Sequence, residues 1–370
     1  MHSHVSVVGV GAVTGYGWGR KHLQQGLLSG RPATRPVAGY ASHFPGDRLW
    51  VARIADDDPG HVVGDQAAAA LRAAAHEAVE DAHDRGWRAG ATVGIVHCLV
   101  PDALSLESEA VVADVVRRFG FHGPMVGVSA MTASTVAGIL TAKSWIDSGV
   151  ADDVLVLNSD TDTSPQRCLA FDHAGVLAAD GPTLERCRPY QEESVGFAPG
   201  EAVVALVVSG RRHGSYADVL GGAMGYDEFH PNPPGLGAAH VERALREALA
   251  NAGVRPEDVA HVNGHGAGIP ESDATEAAVL DAVLPELTGL FSVKPLVGHC
   301  QAAAGAVELC ASIYGFETGV IPAPPRVARG HRHLLDGPTA VADGLVVKAS
   351  LGMSGHNAVL VLGPPGRAEP

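Results

Sequence analysis

Two histidines, each set among glycines, are the residues of this sequence that could do chemistry together. His265 lies in the segment NGHGAG (residues 263–268), and His299 ends the segment KPLVGH (residues 294–299). The flanking glycines lack a Cβ atom and let another part of the backbone approach closely. Two imidazole N–H groups that converge on one oxygen can stabilise a developing oxyanion without a metal ion, and one such donor is worth about 3 kcal/mol. His265 and His299 could act in this way if the fold brought them into one pocket.

A third segment, GVSAMTAS (residues 127–134), stands just ahead of an apolar helical pattern and contains Met131. The three segments resemble the active-site motifs of the β-ketoacyl synthases, the condensing enzymes of fatty-acid and polyketide assembly in the thiolase superfamily. Five motifs match in the same order along nearly the whole chain: VGVGAVT (8–14), RPY to GFAPGE (188–201), GHGAGIP (264–270), GHCQAAAGAVE (298–308) and GMSGHNA (352–358). Each match alone would be weak, whereas five in order make the resemblance specific.

The resemblance places Met131 at the position of the nucleophile. In that family the matching residue is a cysteine that carries the growing acyl chain. A thioether has no proton to lose, so it cannot become a thiolate or form the acyl-enzyme. The resemblance also assigns His265, His299 and Lys294 to the former catalytic pocket, with Lys294 fixing the position or charge state of one imidazole. Two interpretations stay open: the histidines are in catalytic use, or they are relics held by buried hydrogen bonds.

The sequence also departs from the family near the pocket. Leu351 and Met353 occupy positions where the family usually has phenylalanines, one of which gates entry to the acyl pocket. We predict that these two residues and Thr132 line a pocket or tunnel. Residues 98–121 look shorter than in typical members, and there the family builds part of its dimer interface and pocket wall.

The elements that must position these residues alternate between short apolar strands and alanine-rich helices, which is typical of an α/β architecture. We predict strands at residues 5–9, 92–96, 153–158, 202–209, 259–263, 345–349 and 358–362, and helices at 64–85, 241–252 and 271–283. A further helix, buried on every side, should run from the Met131 turn to Gly149. The polar stretch 209–218 divides the chain into an N-terminal half, residues 1–209, and a C-terminal half, residues 210–370. The resemblance implies a thiolase-like fold of two similar α/β halves in five layers, αβαβα.

Composition excludes several classes of function. A net charge of -15 argues against a nucleic acid as partner. No apolar stretch reaches the ~18 residues of a membrane helix, and no secretory signal is recognised at the N-terminus. The segment VGVGAVT lacks the third glycine of a dinucleotide-binding motif, so we interpret Gly9 and Gly11 as a turn that ends the first strand. We expect no cofactor and no metal ion.

The five cysteines have no metal-ligand or redox spacing. We therefore predict that they are reduced and mostly buried in a cytoplasmic protein, including Cys300, which follows His299 directly. The basic loop at residues 326–333 could bind an acidic partner or could simply be a solvated loop. The cysteines are these: Cys98, Cys168, Cys187, Cys300 and Cys310.

Family members without the cysteine are best known as chain-length factors, which pair with a true ketosynthase in type II polyketide systems and shape the tunnel that limits product length. The resemblance thus implies a non-extending partner subunit, with a catalytic ketosynthase and an acyl carrier protein as partners. We expect the partner to cover the helix that begins at Met131 and the segment 98–121, where four valines crowd together: Val111, Val112, Val115 and Val116.

Two enzymatic alternatives stay open. Both histidines could support decarboxylation of a malonyl-acyl carrier protein, although relatives that do this usually carry glutamine at the nucleophile position. Alternatively, the hydroxyl of Ser129, Thr132 or Ser134 could replace the thiol as nucleophile in acyl transfer or hydrolysis, provided that a base lies within hydrogen-bond reach.

Overall fold

The structure, a computed structural model, describes residues 4–54, 63–100, 106–211, 214–227, 237–352 and 355–366. The strands are β1 (Ser6–Thr14), β2 (Gly17–Trp18), β3 (Arg35–Ala38), β4 (Arg48–Val51), β5 (Val93–Cys98), β6 (Met125–Val128), β7 (Asp153–Asp160), β8 (Ala202–Ser209), β9 (Ala217–Tyr226), β10 (Val259–Asn263), β11 (Gly289–Phe291), β12 (Val320–Ile321), β13 (Thr339–Ala340), β14 (Leu345–Leu351) and β15 (His356–Gly363). The helices are α1 (Arg20–Leu28), α2 (Val63–Asp84), α3 (Leu106–Phe119), α4 (Ser134–Asp147), α5 (Pro165–His173), α6 (Thr183–Arg186), α7 (Ala238–Asn251), α8 (Pro270–Val283), α9 (Lys294–Val297) and α10 (Gln301–Thr318).

Eleven of these strands form one sheet in the order β11-β10-β14-β15-β9-β1-β8-β7-β5-β6, with β2 beside β1. Its two ends have the same construction. In the first part, β1–β8 and β8–β7 are antiparallel pairs, and β7–β5 and β5–β6 are parallel pairs. The second part repeats this pattern: β9–β15 and β15–β14 are antiparallel, and β14–β10 and β10–β11 are parallel. Among the described residues, two residue pairs between β1 and β9 join these two parts of the sheet. The division of the chain after Ser209 into two domains stays a prediction.

Hydrophobic clusters on both faces of each part of the sheet produce five layers. The strand β8 shows the reason, because all of its side chains are buried and they alternate in direction. Val204 and Leu206 pack with α4 and α10 in the central cluster, while Val203 and Val207 pack with α2 in an outer cluster. A third cluster lies between the second part of the sheet and α7 and α8. The predicted five-layered, thiolase-like α/β fold is confirmed.

The first strand is longer than the sequence predicted. Gly9 and Gly11 lie inside β1 and do not form a turn at its end. A Cβ atom at Gly9 would come within 2.2 Å of the Ala78 carbonyl oxygen, and one at Gly11 within 2.1 Å of the Ala74 carbonyl oxygen. The interpretation as a turn was therefore wrong: these glycines let α2 pack directly against the strand.

Helix α3 differs from the prediction in what it packs against. Val111, Val112 and Val115 are buried within the chain, in the outer cluster with α2. These three valines are therefore covered without a partner, and the prediction that they form an exposed interface was wrong.

Other predictions about buried segments are confirmed. α4 is buried over its first turns and ends before Gly149, whose φ of 72° suits glycine. The five cysteines are free and buried. Within the described ranges, no helix combines the length and the apolar character needed to cross a membrane.

Candidate active site

Met131 opens the buried helix α4 from a strained turn. Its φ is 49°, in the left-handed region that side chains with a Cβ rarely adopt, and it begins a single turn of 3₁₀ helix, Met131–Ala133. The Ser134 hydroxyl accepts a hydrogen bond from the Ala130 N–H (2.9 Å) and donates one to the Met131 carbonyl (2.6 Å). The turn is thus fixed in a conformation that presents one side chain at the start of the helix.

His299 lies just before α10, and its backbone determines which ring nitrogen carries a proton. The N–H of Gln301 donates to Nδ1 of His299 at 3.0 Å, so Nδ1 is an acceptor and the proton of the neutral ring belongs on Nε2. The ring of Phe197 contacts the imidazole edge-on, with centroids 4.6 Å apart. His299 can therefore donate one N–H bond from a fixed ring.

His265 follows the end of β10 and lies beside His299. The two ring centroids are 5.8 Å apart and the ring planes make an angle of 69°. Both residues are almost fully buried. The Nδ1 atom of His265 is buried and has no hydrogen-bond partner among the described residues. The structure brings the two predicted histidines together.

Both imidazoles are neutral at physiological pH. Burial is the largest cause and lowers the pKa of His265 and of His299 well below the usual value for histidine. The positive charges of Lys294 and Lys348 lower both pKa values further. Because a neutral imidazole still donates one N–H bond, the pair suits an oxygen that gains negative charge.

The main chain around His265 is held by buried carboxylates on one side. Glu276 accepts hydrogen bonds from the N–H groups of His265 and Gly266, and also from the Tyr190 hydroxyl. Asp273 accepts from the N–H groups of Ala267 and Gly268 and of Tyr190. Burial raises the pKa of Asp273 to about 8, although these N–H donors favour its ionised form. The loop is therefore rigid at every N–H from residue 265 to residue 268.

Lys294 holds His265 through the backbone, and among the described residues no hydrogen bond joins its ammonium group to either imidazole ring. Its ammonium group donates to the His265 carbonyl and to the Glu308 carboxylate. The same carboxylate pairs with Lys348 of β14, a buried lysine that sequence reasoning missed. The signal was present, because Lys348 is the only charged residue in the apolar run LVVKASL (345–351) and a buried charge requires a partner.

Comparisons with known proteins identify the family. Residues 63–213 match the family model of the β-ketoacyl synthase N-terminal domain, and residues 216–327 match that of the C-terminal domain. The chain belongs to the β-ketoacyl synthase family. It is 28% identical to a putative polyketide β-ketoacyl synthase 1 of Streptomyces cyaneus, across 99% of this chain and 100% of that protein.

Solved structures agree on the fold. The ishigamide ketosynthase/chain length factor superposes with a TM-score of 0.82 at 24% identity, covering 99% of this chain and 100% of the other. The ketosynthase AntDE in complex with its type II acyl carrier protein AntF, bound to the hexaketide, gives a TM-score of 0.80 at 20% identity, covering 98% and 99% of the two chains.

The three candidate hydroxyl nucleophiles of this chain form no hydrogen bonds with the two histidines in the described residues. Ser134 uses its hydroxyl inside the Met131 turn. Ser129 is exposed and Thr132 is buried. In the described part of the chain, no hydrogen bond joins any of these three hydroxyls to His265 or His299. Cys300 is also inert, because burial raises the pKa of its thiol well above the usual range.

The predicted tunnel residues lie in different places. Thr132 is in the turn next to Met131. Leu351 is fully buried in the third cluster, which lies beside α7 and α8, on the face of β14 opposite Lys348. Met353 lies outside the described residues. A tunnel role for the three residues stays a prediction.

The basic loop at residues 326–333 is partly neutralised. Asp281 lies 3.1 Å from His331 and 2.9 Å from Arg332, whereas the Arg329 side chain is 87% exposed. Both interpretations of this loop, an acidic partner or a solvated surface, stay open.

Proposed function

We propose that this chain is a chain-length factor, a non-extending subunit that pairs with a catalytic ketosynthase and shapes the acyl tunnel. The observation that carries the proposal is Met131. In a chain of the β-ketoacyl synthase family, a thioether occupies the turn from which a nucleophile would be presented, and a thioether cannot accept an acyl group. The likeness to a solved ketosynthase/chain length factor supports the same role.

The open edge of β6 supports a partner. In the described part of the chain β6 pairs only with β5, so one row of its backbone N–H and C=O groups faces outward. An unpaired edge is a template for a strand of another chain. The Met125 side chain on this strand is 44% exposed. We propose that the ketosynthase binds here, through an interface of the obligate class at ~2,000 Å² or more.

Co-expression with a ketosynthase from the same gene neighbourhood tests this proposal. We expect a stable complex of one copy of each chain by light scattering. We also expect the pair to release polyketides of a defined length that the ketosynthase alone does not make. A monomer that binds none of the neighbouring ketosynthases would contradict the proposal. The ketosynthase produced without this chain is the control.

A second candidate function is decarboxylation of a malonyl-acyl carrier protein, and the geometry of the histidine pair favours it. In this reaction the bond between the carboxylate and the α-carbon breaks and carbon dioxide leaves. The electron pair of the broken bond moves into the thioester carbonyl and forms an enolate. His265 and His299 would stabilise the enolate oxygen through N–H bonds, and the α-carbon then takes a proton from water. Conversion of malonyl- to acetyl-carrier protein by the chain alone, followed by mass spectrometry, tests this candidate.

A further inference from the structure

The interior next to His265 holds two ammonium groups and a single carboxylate between them. Lys294, Glu308 and Lys348 are each at most 1% exposed. Glu308 uses one oxygen for each lysine: Oε1 accepts from Lys294, and Oε2 lies 2.9 Å from Nζ of Lys348. Burial lowers the pKa of the Lys348 ammonium group, whereas the carboxylate of Glu308 favours its charged form. With both lysines protonated, this buried set, which we name the Lys–Glu–Lys bridge, has one positive charge in excess.

The remaining acceptors of Lys348 lie on the main chain that leads into His265. Nζ of Lys348 is 3.4 Å from the carbonyl oxygens of Asn263 and of Gly264, and it also donates to the Ala349 carbonyl. Asn263 ends β10 and Gly264 directly precedes the histidine. The Lys348 ammonium thus ties the end of β10 to the neighbouring strand β14.

The Lys–Glu–Lys bridge and Glu276 together surround the backbone of His265. Lys294 holds the His265 carbonyl, Lys348 approaches the two carbonyls before it, and Glu276 holds the N–H of His265. A peptide group that is held on both its N–H and its C=O sides cannot rotate. The Cα and Cβ atoms of His265, which carry the imidazole, are therefore fixed in position.

Stability alone does not explain a second lysine at this depth. Replacing buried ion pairs by well-packed apolar residues is often neutral or stabilising, because taking each charge out of water is expensive. At residue 348 an apolar side chain would continue the pattern of the strand, whose neighbours Val346 and Val347 are buried and apolar.

We infer that Lys348 is a positioning residue for His265: it holds the main chain before the imidazole from the carbonyl side and aims the ring at the space shared with His299. This inference concerns the chain's own histidine and requires neither the chain-length role nor decarboxylation.

The charge of Lys348 also affects a second measurable quantity, the pKa of His265. The positive charges of Lys294, His299 and Lys348 act with burial to lower the pKa of His265. Removing one of them should therefore raise that pKa, even where the ring does not move. Among the described residues, the charged or titratable groups that surround His265 and its loop are Tyr190, Asp273 and Glu276 of α8, Lys294 of α9, His299, Glu308 of α10 and Lys348 of β14.

The test is nitrogen-15 NMR of the histidine rings in the full-length chain, with Lys348→Met as the main variant. The His265 signals are assigned by their absence in His265→Asn. We expect Lys348→Met to shift the ring signals of His265 and to raise its pKa. Lys143→Met is the matched control, because Lys143 on α4 pairs with Asp147 and takes no part in the bridge. It should leave the His265 signals unchanged.

A second variant separates position from charge and protects against misfolding. Lys348→Gln keeps an N–H donor but carries no charge, so its His265 pKa should rise while the ring signals shift less than in Lys348→Met. If Lys348→Met does not fold, Lys348→Gln decides. Ring signals of His265 equal to those of the native chain, at a pH where the ring is neutral and in whichever variant folds, would overturn the inference even if the pKa rises. Complex formation with a ketosynthase is not part of this readout, so its failure would be recognised separately.

Discussion

Met131 combines a side chain that cannot react with a backbone conformation that few side chains adopt. Holding a residue with a Cβ atom at φ 49° costs about 1–2 kcal/mol. The strain persists because Ser134 bonds across the turn and α4 is buried from its first residue. The geometry that presents a nucleophile is therefore independent of whether residue 131 can act as one.

We predict that the native chain takes no acyl group and that Met131→Cys restores loading. Cysteine is smaller than methionine, and the cavity it leaves costs at most ~2 kcal/mol if the site relaxes. Intact-protein mass spectrometry after incubation with an acyl donor should show an adduct on the variant only. Met131→Ala is the control, since it creates a similar space without a thiol. An acyl group on residues 128–135 of the native chain would contradict the prediction.

His299→Asn tests whether the histidine pair is in use. An asparagine oxygen can still accept the Gln301 N–H bond, but the Nε2–H donor is lost. If the chain decarboxylates malonyl-carrier protein, we expect the rate to fall by about 100- to 1,000-fold, the effect of removing one oxyanion donor. Binding to a ketosynthase should not change. An unaltered decarboxylation rate would mean that His299 is a structural relic.

At the scale of elements, the open edge of β6 is the feature on which the proposed binding of a ketosynthase rests. The carbonyls of Pro124 and Val128 accept hydrogen bonds from β5. Since residues along a strand alternate in direction, the N–H and C=O of Gly127 point outward. A Cβ atom at Gly127 would meet nothing within 4 Å.

Gly127→Pro should therefore weaken binding of the ketosynthase and leave the chain folded. Proline removes the outward N–H without removing a bond to β5, and edge strands tolerate it. Gly127→Ala keeps the N–H and adds only a methyl group, so it is the matched control. We expect at least a tenfold loss of affinity for the proline variant in a pull-down titration, equivalent to about 1.4 kcal/mol. Equal binding by both variants would place the partner elsewhere.

At the scale of the whole molecule, the two halves of the sheet enclose ionisable groups that respond to pH in opposite directions. Burial raises the pKa of Asp160 to about 6 and that of Asp273 to about 8, so the folded state favours their protonated forms and loses stability as pH rises. His265 and His299 have lowered pKa values. Their contribution is present above the unfolded pKa of about 6.5 and is lost as pH falls below it.

Comparing the native chain with His299→Asn isolates one of these histidines. Between about pH 7.5 and about pH 5.5 His299 takes up a proton in the unfolded state but stays neutral in the folded state. This difference lowers the free energy of unfolding by about 1.4 kcal/mol. The free energy of unfolding of the native chain should change over this interval by about that much more, in the destabilising direction, than that of the variant. Urea denaturation at both pH values measures this difference. The same change in both proteins would show that His299 is protonated in the fold.

The sequence by itself determined the chemistry that is missing and the side chains that remain. A methionine has no thiol in any fold, and the motifs around His265, His299 and Lys294 predicted one pocket before any contact was known. The alternation of short apolar strands with alanine-rich helices also predicted the α/β layers, because a strand with one face on each of two helical layers must be apolar on both faces. These properties depend on residue type and on short-range order.

Only the tertiary structure decided which apolar faces are covered and which charges meet. The valines of α3 have the pattern of an interface, but α2 covers them, since an apolar helical face is the same whether its neighbour belongs to this chain or to another. Glu308 lies 14 residues after Lys294 and 40 before Lys348, and nothing local relates the three. The family resemblance implied two similar halves, but the residues themselves did not show the repeated strand order, because strand pairing is specified by packing between distant segments.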